Sequence, residues 1–119
     1  MRNHQNLRAF DLARHLALEI YKATNEFPRS EEFGLKAQMR RAAVSVPSNS
    51  VEGCARRTHG DFVRFLDIAL SSAREVEFQV FLAADLGYLE SEQSTRLGSI
   101  TEETGKVIHG LIKSLRTQK

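Results

Sequence analysis

Apolar residues recur along the chain at alternating steps of three and four, and four such stripes can be followed in register. Phe10, Ala13, Ala17, Ile20, Thr24 and Phe27, with Leu16 beside them, define the first. Leu35, Met39, Ala42, Val46, Asn49 and Gly53 define the second. The third is Phe62, Phe65, Leu66, Ala69, Ala73, Val76, Val80 and Ala83; the fourth is Leu97, Ile100, Thr104, Val107, Ile108, Leu111 and Leu115. This spacing is one face of a helix, and no segment sustains the two-residue alternation of a strand. The stripes predict helices over about 7–26, 31–57, 59–87 and 91–116, bounded by local signals. The residue before Pro28 avoids helical geometry and ends the first. Ser30, with Glu31 and Glu32 behind it, is the expected cap of the second. Thr58 with Asp61 resembles a capping box for the third, Gly87 is a natural stop, and Ser91 is the expected cap of the fourth. Four amphipathic helices on short connections predict an all-α fold, an antiparallel up-down four-helix bundle forming one domain over 1–119.

Helix two breaks its own local rules. Pro47 removes a hydrogen bond and crowds the Ala43 carbonyl, so the helix is expected to kink there; a break is the alternative. The stripe keeps phase through it, which favours the kink. Asn49 lies on the apolar stripe and needs polar partners. Ser45, Asn49 and Glu52 are the candidate polar network, as a register-fixing element or as a ligand contact. Gly53 costs about 1 kcal/mol in a helix interior, which the close approach of another backbone would offset. On helix three the side opposite Phe62 is polar early, at Arg64, Asp67 and Ser71, but carries Phe78 and Leu82 further on. Large apolar residues on an outer face point to an oligomer interface at Phe78 and Leu82, or to coverage by a terminus or loop.

Composition narrows the class without naming a reaction. The chain has 119 residues, 41% hydrophobic and 27% charged, the profile of a globular protein. One cysteine, Cys54, permits no internal disulfide, and no apolar run approaches the ~20 residues of a membrane span, so a cytoplasmic location is expected. Net charge is only +2, with ten Lys and Arg against six Asp and Glu in residues 1–57, and seven against nine thereafter. The chain holds no phosphate-binding glycine loop, no cysteine pair for zinc, and no Glu-x-x-His pair of the kind that binds di-iron in bundles. His15 and Glu19, one turn apart, are expected to be a surface pair, and Cys54 an inert, partly buried thiol. No cofactor, no metal and no enzymatic activity are expected.

Ser45-Val46-Pro47-Ser48-Asn49-Ser50-Val51-Glu52-Gly53 is similar to the Ser-Ile-Pro-x-Asn-Ile-Ala-Glu-Gly core of a known family, and Gln38 to Ala43, Tyr21 to Pro28, Phe62 to Ala69, Ser72 to Glu75 and Leu86 to Leu89 match it in order. Over about residues 7–115 the chain resembles the four-helix-bundle proteins encoded by intervening sequences in bacterial large-subunit ribosomal RNA genes. Relatives include the accessory variability determinant of diversity-generating retroelements. The resemblance implies a homopentameric ring, and, by way of the retroelement relative, partnership with a reverse transcriptase and nucleic acid. Ser50-Val51 stands where Ile-Ala is usual and Ser71 where Gly is common; a polar Ser50 is expected to loosen one packing contact.

Two functions of different class follow. One is a nucleic-acid or ribonucleoprotein-binding assembly, with Arg40, Arg41, Arg56 and Arg57 on helix two and Lys113, Arg116 and Lys119 at the C-terminus as contacts. A ring of five would carry five times the charge of one copy, +10 in all, and its phosphate contacts would add up. The other is a protein-interaction scaffold that binds no nucleic acid. No aromatic platform for bases is evident among the basic residues, and arginines at helix ends also serve the dipole.

Overall fold

Each apolar stripe forms a helix in the computed structural model, which describes residues 4–117. The helices are α1 His4–Thr24, α2 Leu35–Cys54, α3 His59–Asp85 and α4 Ser91–Thr117, with a 3-10 turn over Arg29–Glu31; no strand occurs among the described residues. Each helix packs on its neighbours in sequence, α1 packs on α4, and the backbones of the diagonal pairs stay farther apart. Cross-contacts run antiparallel: Gln5 with Ser114, Arg8 with Glu103 and Glu19 with Arg96 between α1 and α4, and Ser45 with Ser72 between α2 and α3. The result is a four-helix bundle 49 Å long.

The core is the stripes meeting one another. Leu16, Ile20, Met39, Val46, Phe62, Leu66, Val76, Leu97 and Ile108 are fully buried, and alanines at 13, 43, 69, 73 and 83 let the helices approach closely. Phe65 departs from the expected pattern: it is only half-buried, at the edge of the core. Gly53 is buried against α3. A Cβ there would lie 2.8 Å from the Phe62 ring, 3.1 Å from Phe65 Cβ and 3.2 Å from the Phe62 carbonyl oxygen. A close approach does offset the cost of this glycine. α2 runs unbroken through Pro47, so the break is excluded, and the Ala43 carbonyl lacks its helical donor. The polar Ser50 is accommodated within α2 itself. Its hydroxyl is buried and donates to the Val46 carbonyl at 2.9 Å, which satisfies it without a partner outside the helix.

The helix ends agree with expectation where the cap is local. The Asp61 amide donates to Thr58 Oγ1 at 3.1 Å. Gly87 takes φ 81°, with the Tyr88 amide on the Ala83 carbonyl and the Gly87 amide on that of Ala84, a Schellman stop. Two expected caps are corrected. Ser30 lies inside the 3-10 turn, and α2 starts at Leu35. Its first amide donates at 2.9 Å to Glu31 Oε1, whose Oε2 accepts from the Tyr88 hydroxyl at 2.8 Å. A Cβ at 34 would lie 2.6 Å from that same Glu31 oxygen, so a larger residue there would push aside the carboxylate that caps α2. Ser91 is the first residue of α4 and not its cap; the Ser94 amide bonds to the Glu90 carbonyl, and the Glu90 amide donates to Gln93 Oε1. α2 also ends at Cys54, so Arg56 and Arg57 lie in the α2–α3 connection and not on helix two.

Candidate functional site

The polar residues of α2 meet α3 along one seam. Asn49 Nδ2 donates to the Ser45 carbonyl at 2.9 Å and to Ser45 Oγ at 3.0 Å, and Ser45 Oγ lies 2.8 Å from Ser72 Oγ on α3. Ser45 and Asn49 therefore form the expected network, but its third member is Ser72. Glu52 is excluded from it: it is exposed and pairs with Arg56 one turn along. Further along the seam, buried Gln79 donates to Glu75. This arrangement ties α2 to α3 through side-chain hydrogen bonds.

The basic residues do not form one patch. Arg40 is consumed inside the fold. Its Nε donates to Thr24 Oγ1 at 2.9 Å, a terminal nitrogen donates to the Tyr21 carbonyl at 3.0 Å, and the guanidinium lies 4.4 Å from the Tyr21 ring centre. It serves the C-terminal end of α1, where carbonyls lack helical donors, a structural role that the sequence did not reveal. Arg41 is exposed beside Gln38 and Ser45. Arg56, Arg57, Lys113 and Arg116 all fall at the opposite end of the bundle, where α2 and α4 finish and α3 begins. Lys119 lies outside the described residues.

That end holds an aromatic side chain among the cations. Arg56 lies 4.7 Å and Arg64 4.8 Å from the centre of the Phe65 ring. Reading Phe65 as pure core hid this arrangement; the signal was its position directly after Arg64. Arg56 pairs with Glu52, Arg64 with Asp61 at 3.9 Å and Arg116 with Asp67 at 3.5 Å, whereas Arg57 and Lys113 have no ion pair among the described residues. The three pairs are on the surface, where such pairs contribute about 0–1 kcal/mol. An incoming phosphate can displace their carboxylates at little cost.

The outer side of α3 carries an apolar strip. Phe78 is 63% exposed and Leu82 36%, as expected, and Phe81, one turn from Phe78, is 69% exposed. No terminus or loop of the described chain covers them. Phe33, on the α1–α2 connection, is 95% exposed.

Glu19, Glu31 and Tyr88 are titratable groups held within the fold. Glu19 is no surface partner of His15. It is buried against α4, hydrogen-bonded to Arg96 and 3.5 Å from Lys22 Nζ. The Arg96 guanidinium holds its carboxyl below the usual 4.5, against the opposing effect of burial. Glu31 is likewise lowered by the Leu35 amide and the Tyr88 hydroxyl, and that hydroxyl is raised above 10.0 by the carboxylate. Among the described residues no three His, Cys, Asp or Glu side chains converge as metal ligands, and no helix is long and apolar enough to cross a membrane.

Residues 5–110 match a family model described as 23S rRNA-intervening sequence protein. A crystal structure from Bacteroides thetaiotaomicron, described as a protein with unknown function from the S23 ribosomal protein family, superimposes with a TM-score of 0.83 at 27% identity. The match covers 92% of this chain and 99% of that one. No curated protein matches the chain.

Proposed function

Because the chain belongs to the 23S rRNA-intervening sequence protein family, we propose that it is a non-enzymatic, oligomeric accessory factor that binds nucleic acid or a ribonucleoprotein. The observation that carries this reading is the bundle end where Arg56 and Arg64 flank Phe65, with Arg57 and Lys113 at the same end and without an ion pair among the described residues. Guanidiniums recognise phosphates, and unstacked bases stack on guanidinium planes such as the two that the Phe65 ring supports. One such end holds few cations. Several copies assembled side by side would multiply the phosphate contacts, and the strip Phe78, Phe81 and Leu82 supplies an apolar surface for that assembly. The pentameric number comes from the resemblance alone.

Fluorescence anisotropy with RNA and DNA oligonucleotides across a salt series tests the reading. Affinity is expected to fall linearly with salt on logarithmic axes, and Arg57→Ala together with Lys113→Ala is expected to reduce the slope. Binding no tighter than that of an unrelated protein of equal charge overturns it. The second reading, a scaffold for another protein, is favoured by one observation: most arginines of the chain's basic clusters already hold carboxylates or carbonyls. A stable protein partner recovered after nuclease treatment would support it over the first.

A further inference from the structure

We propose that copies of this chain join head to tail, with Phe33 of one copy inserted into the α3–α4 groove of the next. The inference rests on the assembly reading above and names the surfaces that carry it.

Phe33 is a side chain displayed without a purpose inside its own bundle. It is 95% exposed, yet the segment that bears it is firmly built. The Glu31, Glu32 and Gly34 amides donate to the carbonyls of Pro28, Arg29 and Glu31, and Glu31 ties the turn to both Leu35 and Tyr88. Phe27, at the base of the turn, is buried with its ring 5.2 Å from that of Tyr88. A ring held out by a rigid turn loses little conformational entropy on docking.

The groove that suits it runs between α3 and α4, with Val80, Phe81, Ala84 and Gly98 in its wall and Glu77 and Asp85 at its rim. Its volume is about 360 Å³, ample for a benzyl group, since an apolar cavity of about 150 Å³ accepts benzene. Gly98 keeps the wall low, with no atom within 4 Å of where its Cβ would be. The groove is continuous with the exposed strip through Phe81.

Charge complementarity selects a second copy as the occupant. Within residues 29–34, the turn that carries Phe33, Glu32 is paired with Lys36 and Glu31 accepts from Leu35 and Tyr88, which leaves Arg29 as the charge without an ion pair among the described residues. At the groove, Glu77 and Asp85 have no ion pair among the described residues. A cation accompanies the ring and anions border its socket.

The placement also fits. The turn lies at the end of the bundle where α1 finishes and α2 begins, and Asp85 and Gly98 lie toward that same end, where α3 finishes and α4 begins. The turn belongs to the α1–α2 edge and the groove to the opposite α3–α4 edge. Opposite edges at one level make a heterologous contact between parallel copies, the geometry that closes into rings.

Light scattering on the full chain and three variants tests this. Phe33→Asp removes the ring at an exposed site, and Gly98→Leu fills the groove where space is open. Gly110→Leu is the control, equally uncrowded on α4 but outside the groove. Melting curves establish that each variant folds. The wild type is expected to assemble, Phe33→Asp and Gly98→Leu to fall to the 13.4 kDa monomer, and Gly110→Leu to keep the wild-type mass. An assembled wild type whose mass survives both Phe33→Asp and Gly98→Leu overturns this contact and leaves assembly standing. A monomeric wild type at high concentration overturns both.

Discussion

At the scale of single residues, the chain's buried charge is the most consequential feature that its sequence concealed. Glu19 precedes Ile20 on the core face, is 6% exposed, and survives there because Arg96 reaches it from α4 and Lys22 from the next turn. A buried carboxylate without partners would be costly; with them, its ionised form is favoured and its folded-state value lies below the unfolded one, the Arg96 hydrogen bond being the main cause. The ionised group therefore contributes stability in full above its ordinary value of 4.5, and that contribution is lost as pH falls through the lowered folded-state value. Glu19→Gln keeps the shape and removes the charge. At pH 7 it is expected to destabilise the fold by about 1–2 kcal/mol, measured by urea unfolding, with the gap to the wild type narrowing as pH drops below about 4.5. A gap that stays constant down to pH 3 would show that charge at this position contributes nothing. Arg40 teaches the complementary lesson. Its sequence neighbours mark it as one of two adjacent surface cations, but the fold gives it the Tyr21 carbonyl, the Thr24 hydroxyl and the Tyr21 ring. Such use of an arginine is set by what lies across the helix pair, sixteen and nineteen residues earlier in the chain.

Among elements, the α2–α3 contact shows what periodicity can and cannot reveal. Gly53 was legible as a close-packing site because a glycine in a helix interior is unfavourable alone. Its neighbours were not, since the register between two helices is a property of the pair. Gly53→Ala sets two effects against each other: a gain of about 1 kcal/mol in helix propensity and an overpacking cost of about 1–3 kcal/mol. The nearest atoms are the ring of Phe62, which is 1% exposed and cannot swing away, Phe65 Cβ, and the Phe62 backbone carbonyl. The clash is expected to win, with a net loss of about 1–2 kcal/mol in thermal or urea unfolding; a stabilised variant would mean that α3 shifts freely. The same distinction explains the rest of the reading. The faces Leu35-Met39-Ala42-Val46 and Leu97-Thr104-Ile108-Leu111 follow from spacing alone. Thr58 and Gly87 were legible because a local cap is made by the next few residues. The cap of α2 was missed because Glu31 makes it through a 3-10 turn that no periodicity marks. Ser72 was missed because it answers Ser45 from another helix. Phe78 and Leu82 stood out as apolar residues following a polar outer face, whereas Phe33 lies in a connection, where sequence gives no measure of exposure.

For the whole molecule, the two surfaces proposed here are separated along the bundle, and that separation has a consequence. The apolar strip of Phe78, Phe81 and Leu82 lies toward the end where α3 finishes, while Arg56, Arg57 and Phe65 lie where α3 begins, and the bundle is 49 Å long. A charge placed on the strip is therefore far beyond the ~10 Å over which salt at 0.1 M lets charges interact. Phe78→Glu cannot weaken phosphate binding by direct repulsion at the basic end. It can do so by dispersing the copies, because contacts made side by side add on one strand and contacts on separate monomers do not. Phe78→Glu is expected to lower the assembled mass in light scattering and, together with it, the slope of log affinity against log salt, each lost phosphate contact removing about 0.7 from the slope on single strands. The melting temperature should stay near that of the wild-type bundle, since Phe78 is 63% exposed in it. A variant that loses mass but keeps the full slope would mean that one bundle end binds nucleic acid unaided. One that keeps its mass would remove Phe78 from the interface and leave assembly to surfaces elsewhere on the bundle.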